Sequence, residues 1–411
     1  MISVEEARAR ILAAFKPLSA EQASLAHGLG RVLAEDVRAR RTQPPSDVSA
    51  MDGYAVRSAD IARIPCTLEQ IASIAAGASF KGTLGPGQCA RIFTGAPLPK
   101  GADTVVIQEN TAVIEKNAGA KAGRIAIREG AERGRFVRPA GLDFKTGDLG
   151  LSAGRILSAR DIGLAAAMNV PWLSVRRRPR IAILPTGDEI VMPGEPIAEN
   201  QIVSSNGLAL AAFVAACGGE ALLLGTAPDD LGALRAMAAG ARGTDLLVTT
   251  GGASVGEHDL VRDALGAEGM VLDFWRVAMR PGKPLIFGQL GGVPVLGLPG
   301  NPVSALVCAL VFLRPAIEAM LGVRRPDAPA ETAILGVGLN ANDRRQDYLR
   351  ARLSHDTQGR AVATPFAKQD SSMISLLAHA DCLIVRSPNA PALDAGERVE
   401  ILPFSGGIAG I

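Results

Sequence analysis

This chain of 411 residues has no cysteine pairing to build on: Cys66, Cys89, Cys217, Cys308 and Cys382 are odd in number, far apart and without a CxxC pair. The pattern excludes a disulfide framework and a structural zinc site, and it predicts reduced thiols and a cytoplasmic setting. Aromatic residues are scarce at 4%, and the basic and acidic residues nearly cancel, leaving a formal net charge of +2. Neither a base-stacking platform nor a phosphate-tracking basic face is expected, so nucleic acid is excluded as a partner. Long hydrophobic runs are missing too. The longest apolar stretch, residues 305–313, is too short to span a bilayer and reads as a buried helix. The opening MISVEEARAR lacks the basic-then-apolar order of a signal peptide, so no membrane partner is expected. There is no internal repeat and no low-complexity tract.

A hydrophobic content of 48% is ample for several cores, and the length predicts two to four domains. Ser3 and Glu6 stand in capping-box spacing before Ala, Ile and Leu at helical intervals, which predicts an opening amphipathic helix. GRVLAEDV follows as a short helical or extended segment. From TQPPSDVSAMDGYAV at 42–56 to about residue 140, short apolar runs broken by Gly and Pro predict a small β-rich domain. Residues 158–167 read as a helix, and RRRPR at 176–180 marks a boundary near 177.

From 180 to about 322, strand and helix patterns alternate, which implies a mostly parallel sheet covered on both faces, with its ligand crevice at the carboxyl ends of the strands. Asp229 is expected to cap the helix beginning at Asp230, and Asn301 followed by Pro302 reads as a helix start. The last 80 or so residues return to strand patterns and fit a small β-domain.

Three loops follow strand patterns in the alternating region: TGDEI, TTGG and GLPGNP. All three are expected to converge on the crevice, where glycine-shaped backbone can close around an anion. In MRPGKP, Arg280 and Lys283 flank a Pro-Gly turn that holds both cations close, as anion binding prefers. Asp52, Glu189, Asp229 and Asp259 all sit beside glycine, proline or a strand end. Hard oxygen ligands of this kind suit Mg²⁺, which leans on substrate phosphate. Taken singly, each carboxylate also reads as a cap or turn residue.

Competing motifs are weaker. GASVG at 252–256 matches GxSxG, which would make Ser254 the nucleophile of an α/β-hydrolase. Two glycines intervene after the strand, however, and only His258, His355 and His379 lie downstream. GVGLNA at 336–341 formally fits a dinucleotide fingerprint, but polar residues follow where a packed helix should begin. No GxxxxGK[ST] is present, so Lys283 is not a Walker lysine.

Six segments, PPSDVSAMDGYAVR, FTGAPLPKGADTVV, PTGDEI, TTGGASVGEHD, MRPGKP and GLPGNPVSA, occur in the order seen in the MoeA family, the molybdopterin molybdenumtransferases that include the gephyrin E domain. The chain resembles that family from end to end. The resemblance implies a multidomain α/β homodimer in four parts. These are a helical and extended segment (1–45 and 141–176), a β-rich lobe (46–140), an α/β active-site domain (177–326) and a C-terminal β-barrel-like domain (327–411). It implies a reaction in which adenylylated molybdopterin and molybdate give AMP and a pterin dithiolene carrying molybdenum, with Mg²⁺ as cofactor. A molybdopterin adenylyltransferase and molybdoenzyme chaperones are the implied partners.

Residue by residue, Asp52 and Thr94 match positions on the β-rich lobe, which in the family reaches the partner's active site. Asp143 matches a further acidic position, and these three are taken as catalytic with Glu189, Asp229 and Asp259. The last three are assigned to metal and nucleotide phosphate. Arg280, Lys283, Arg350 and Ser371 are assigned to molybdate, with Ser372 next in line. Gly251, Gly252, Ser254 and Ser304 complete the substrate-binding positions, and Pro299 and Pro302 shape the loop. Many relatives carry lysine at both ends of the PGK turn, whereas this chain has Arg280 first. A tetrahedral dianion needs fixed cations and hydroxyl donors, yet charge alone cannot exclude sulfate. A gephyrin-like scaffold without chemistry is the alternative in a different class.

Overall fold

The computed structural model describes residues 1–116, 123–251, 266, 269–324 and 330–404. Its centre is a six-stranded sheet in the order Glu220–Leu223, Arg180–Pro185, Leu246–Thr250, Val293–Leu298, Pro284–Leu290 and Val271–Arg276. The first three pairings are parallel and the last two antiparallel. Side chains alternate across the sheet, so Ile181 and Ile183 enter one core while Ala182 and Leu184 enter the other. Helices Asn206–Ala216 and Pro302–Leu321 supply buried residues to the first core, and Leu231–Ala238 to the second. Both faces of the sheet are thereby covered, as the apolar strand runs require.

The apolar stretch at 305–313 is longer in structure than in sequence. It is the middle of a 20-residue helix, Pro302–Leu321, with a π turn at Ala309–Leu313. Length and composition would allow this helix to cross a bilayer, but 72% of its apolar window is buried inside the protein. It is a core helix.

The opening helix, Val4–Ala13, buries Val4, Ala7 and Ile11 in that same core. Only half of the expected capping box forms. Ser3 Oγ accepts from the Glu6 N–H at 3.0 Å, whereas the Glu6 carboxylate turns to Arg10 at 2.6 Å. GRVLAEDV is extended, not helical, with Val32 and Leu33 bridging Ile156 and Val175. Strands Ala20–Ser24 and Trp172–Arg176 pair nearby, and helix Ala159–Ala167 begins with a complete Ser158–Asp161 capping box.

The β-rich lobe is a six-stranded sheet in the order Thr104–Ile107, Gly53–Val56, Gln88–Ile92, Cys66–Ile74, Gly123–Ile127 and Thr111–Lys116. At the other end of the chain, Gln346–His355, Ala361–Pro365, Thr332–Leu335, Arg398–Pro403 and Cys382–Arg386 pair in that order. A further pairing of Cys382–Arg386 with Gln346–His355 closes them into a barrel. Tyr348, Leu377 and Leu383 carry this barrel into the core of the α/β domain. None of the five cysteines forms a disulfide, and burial pushes the Cys89 and Cys382 thiols up to about 12.

Candidate functional site

At the carboxyl ends of the parallel strands lies a cleft of about 1010 Å³, lined by residues from each of the three glycine-bearing loops and from the C-terminal domain. Thr186 and Glu189 come from TGDEI, Thr250 and Gly251 from TTGG, and Pro299, Pro302 and Ser304 from GLPGNPVSA. The convergence follows from parallel strands that deliver successive loops to one edge. Gly251, at φ +99°, packs so closely that a Cβ there would sit 2.3 Å from the Thr186 carbonyl oxygen.

The cations of MRPGKP enter from the antiparallel side. Gly282, at φ +110°, lets the turn pass Cys308, whose Sγ would be 2.5 Å from an added Cβ. Lys283 lines the cleft and forms no ion pair among the described residues. Arg280 also lines it, but its guanidinium is engaged. Nη2 meets Asp347 and donates to Asn342 Oδ1 at 3.3 Å, while Nη1 lies 3.5 Å from Asp343. Sequence reasoning did not find these acidic partners.

Ser371 and Ser372 both line the cleft and are held differently. Ser371 Oγ accepts from Asn301 Nδ2 at 2.8 Å, whereas Ser372 donates through its N–H and Oγ–H to Asp370 at 2.8 and 2.6 Å. These hydrogen bonds hold the Asp370 carboxyl below its ordinary value. Asn301 precedes the helix as expected, yet its side chain makes no capping bond because it serves Ser371. Arg350 does not line the cleft. It is buried behind Gln369, whose Oε1 accepts from its Nε at 3.2 Å, and its Nη1 donates to the Met373 carbonyl; Nη2 has no hydrogen-bond partner among the described residues. Burial pushes this guanidinium down, and the Asp370 charge acts in the opposite direction.

Of the expected metal ligands, Glu189 lines the cleft, Asp229 does not, and Asp259 lies outside the described residues, as do Gly252 and Ser254. Asp229 does not cap the following helix. Asp230 does, accepting from the Ala233 N–H at 2.7 Å, because the helix begins one residue later than the pattern suggests. The Asp229 N–H instead donates to Asp188 Oδ1 at 2.9 Å, and a bridge between Thr186 and Ala227 sets the two loops side by side. No cluster of three or more His, Cys, Asp or Glu suited to a metal forms among the described residues. Magnesium commonly takes one or two carboxylates plus waters and substrate phosphate, so a cleft carrying Glu189 with Asp188 and Asp229 on adjoining loops fits it. Thr186 Oγ1, buried and without a hydrogen-bond partner among the described residues, is a further polar atom at the cleft wall.

Asp52, Thr94 and Asp143 are not among the residues lining this cleft. Asp52 and Thr94 are nevertheless a pair, since strands Gly53–Val56 and Gln88–Ile92 bring them together at one edge of the lobe. Thr94 donates through N–H and Oγ1–H to Asp52 Oδ1, both at 2.7 Å, holding that carboxyl below its ordinary value. Asp143 is exposed, with its N–H bonded to the Gln43 carbonyl. Neither His355 nor His379 lines the cleft, which leaves the hydrolase reading without a histidine among the described residues. Asn206, which sequence reasoning passed over, lines the cleft as well.

Comparison with known proteins adds three adjoining family matches. Residues 2–169 match the MoeA N-terminal region (domain I and II), 182–319 a probable molybdopterin binding domain, and 332–404 the MoeA C-terminal region (domain IV). The molybdopterin molybdenumtransferase 2 of Mycobacterium tuberculosis is 34% identical over 98% of this chain and 99% of its own. The molybdopterin molybdenumtransferase of Nostoc sp. is 40% identical over 78% of this chain and 74% of its own. A crystal structure of a molybdopterin biosynthesis moeA protein from Pyrococcus horikosii superposes with a TM-score of 0.84 at 32% identity, covering 99% of this chain and 100% of that one. With relatives matched over nearly its whole length and a fold shared from end to end, the chain belongs to the MoeA family.

Proposed function

We propose that this protein is a molybdenumtransferase of molybdenum cofactor biosynthesis, taking adenylylated molybdopterin and molybdate and releasing AMP. The observation that carries the reading is the meeting, in one cleft, of three strand-end loops with Lys283, Arg280 and Ser371. The glycine-shaped backbone at Gly251 and Gly300 receives the anionic linkage of the pterin nucleotide, and Lys283 and Arg280 attract the molybdate dianion. Ser371 and Ser304 add hydroxyl donors, while Arg350 braces the Gln369–Met373 wall from behind.

The reaction breaks the phosphorus–oxygen bond that joins the two phosphates, with oxygen from water adding to phosphorus, so AMP leaves and the pterin keeps its own phosphate. One oxo oxygen of molybdate leaves as water with the two thiol protons as two molybdenum–sulfur bonds form to the soft dithiolene of the substrate, and the chain needs no clustered cysteines for that. Glu189, together with Asp229 and Asp259, would hold Mg²⁺. Bound there, the ion offsets the phosphate charge that otherwise repels an attacking oxygen. Asp52 and Thr94 act in a homodimer, presented by the lobe of one subunit to the cleft of the other. The setting is cytoplasmic, and an adenylyltransferase delivers the substrate.

Incubation with adenylylated molybdopterin, molybdate and Mg²⁺ tests this reading. AMP should appear, and Lys283→Ala should lower its rate by about a hundredfold, the scale for losing a charged group at the site of reaction. Absence of AMP from the intact protein would overturn it.

A further inference from the structure

Arg280 faces two ways. The short strand Met279–Arg280 runs parallel to Gln346–Asp347, with Arg280 in register with Asp347, so the residue sits at the seam between the cleft and the C-terminal barrel. On the barrel side its guanidinium meets Asp347, Asn342 at 3.3 Å and Asp343 at 3.5 Å. Asp347 is 4% exposed, and its second oxygen, Oδ1, has no hydrogen-bond partner among the described residues. The other two acceptors are themselves held. Asn342 Nδ2 donates to the carbonyls of Arg345, Arg386 and Ser387, and Asp343 is gripped by Arg345 at 2.6 Å. Nε of Arg280 has no hydrogen-bond partner among the described residues, and the side chain lines the cleft with Lys283 and Ser371.

We propose that Asp347, with Asn342 and Asp343, is a positioning group that fixes the Arg280 guanidinium and so makes the cleft select oxyanions by size as well as charge, favouring molybdate over the smaller sulfate. The inference rests on the reading of the cleft as a molybdate site. Two tetrahedral dianions feel nearly the same Coulomb attraction, and a mobile cation follows whichever one arrives. With Nη2 committed to Asp347 and Asn342 and Nη1 turned to Asp343, the clamped guanidinium offers Nε–H to the cleft from one fixed point, and an anion must match the span from there to Lys283 and Ser371. The carboxylates also take up part of the Arg280 charge, which shifts discrimination from field strength to geometry. A lysine at 280 would keep the charge and lose the fork.

Calorimetric binding of molybdate and of sulfate to the intact protein, to Asp347→Asn and to Arg280→Lys tests the proposal, with the melting temperature of each recorded. The wild type should prefer molybdate, and both variants should lose about tenfold of that preference while staying folded. Arg280→Lys supplies the answer if Asp347→Asn does not fold. An unchanged molybdate-to-sulfate ratio in a folded variant overturns the positioning role. A wild type that binds neither anion overturns the molybdate assignment itself and takes this proposal with it.

Discussion

Asn206 Nδ2 donates to the Gly300 carbonyl at 2.7 Å and to Thr250 Oγ1 at 3.0 Å, and Thr250 Oγ1 donates onward to the Pro299 carbonyl at 3.1 Å. One amide at the start of helix Asn206–Ala216 therefore ties together the loops that follow two neighbouring parallel strands. Asn206→Ala should cost about 1 kcal/mol of stability, the worth of ordinary hydrogen bonds, while AMP release falls much further because both loops lose their register. Asn206→Asp retains the volume but cannot donate, so it should behave like alanine in the assay. A variant with lowered melting temperature and full AMP release would show that the bonds serve folding alone.

Gly251 offers a steric test. An alanine there would combine φ +99° with a Cβ 2.3 Å from a backbone oxygen, and backbone, unlike a flexible side-chain tip, cannot swing aside. Gly251→Ala should lose about 3 kcal/mol, from left-handed strain plus displacement of the Thr186 loop. Denaturant unfolding measures the loss, and a variant within experimental error of wild type would show that the loop is softer than its packing indicates.

The join between the N-terminal segment and the α/β domain should be sensitive to acid. Arg177 grips Asp245 with two hydrogen bonds at 2.7 and 2.6 Å, and the Arg180 N–H adds a third at 2.7 Å. Burial raises the Asp245 carboxyl, but the Arg177 and Arg180 contacts outweigh it and hold the group below its ordinary value of 3.8. A depressed carboxyl stabilises the fold above its unfolded value, and that contribution is lost as pH falls through the folded value. Asp245→Asn should therefore lower stability by about 2 kcal/mol at neutral pH, and the gap to wild type should close below pH 3.8. A gap independent of pH would point to packing instead of charge.

What could be read from residues alone divides along a physical line. Apolar runs such as RIAIL and DLLVTT declared their strands because burial on both faces demands unbroken hydrophobicity, and the rule that parallel strands share one ligand edge then gathered TGDEI, TTGG and GLPGNP. Partners distant in sequence left no such mark. Asp347 lies 67 residues from Arg280, and Asn206 lies 94 from Gly300, so neither contact has a local signature. Adjacent candidates also exchanged roles: Asp230, not Asp229, caps its helix, and Asn301 gives its side chain to Ser371 instead of to its own helix. Caps depend on where the first turn begins, a choice of one residue that side-chain chemistry alone does not make.

The separation of Asp52 and Thr94 from the cleft residues of their own chain leads to a complementation test. If the lobe of one subunit serves the cleft of its mate, Asp52→Ala disables the lobe and Lys283→Ala disables the cleft, and each pure variant should release little AMP. Mixed and allowed to exchange subunits, the two variants form heterodimers in which one cleft with its lysine faces one lobe with its aspartate, while the other site carries both defects. Random pairing puts half of the dimers in that state with one intact site of two, so activity should return to about a quarter of wild type. The two substitutions leave the strand pairing around Gly53–Val56 and the Pro-Gly turn in place, so subunit exchange should not be blocked. Failure to regain activity in a mixture shown by light scattering to contain dimers would place Asp52 outside the reaction or within its own subunit's site.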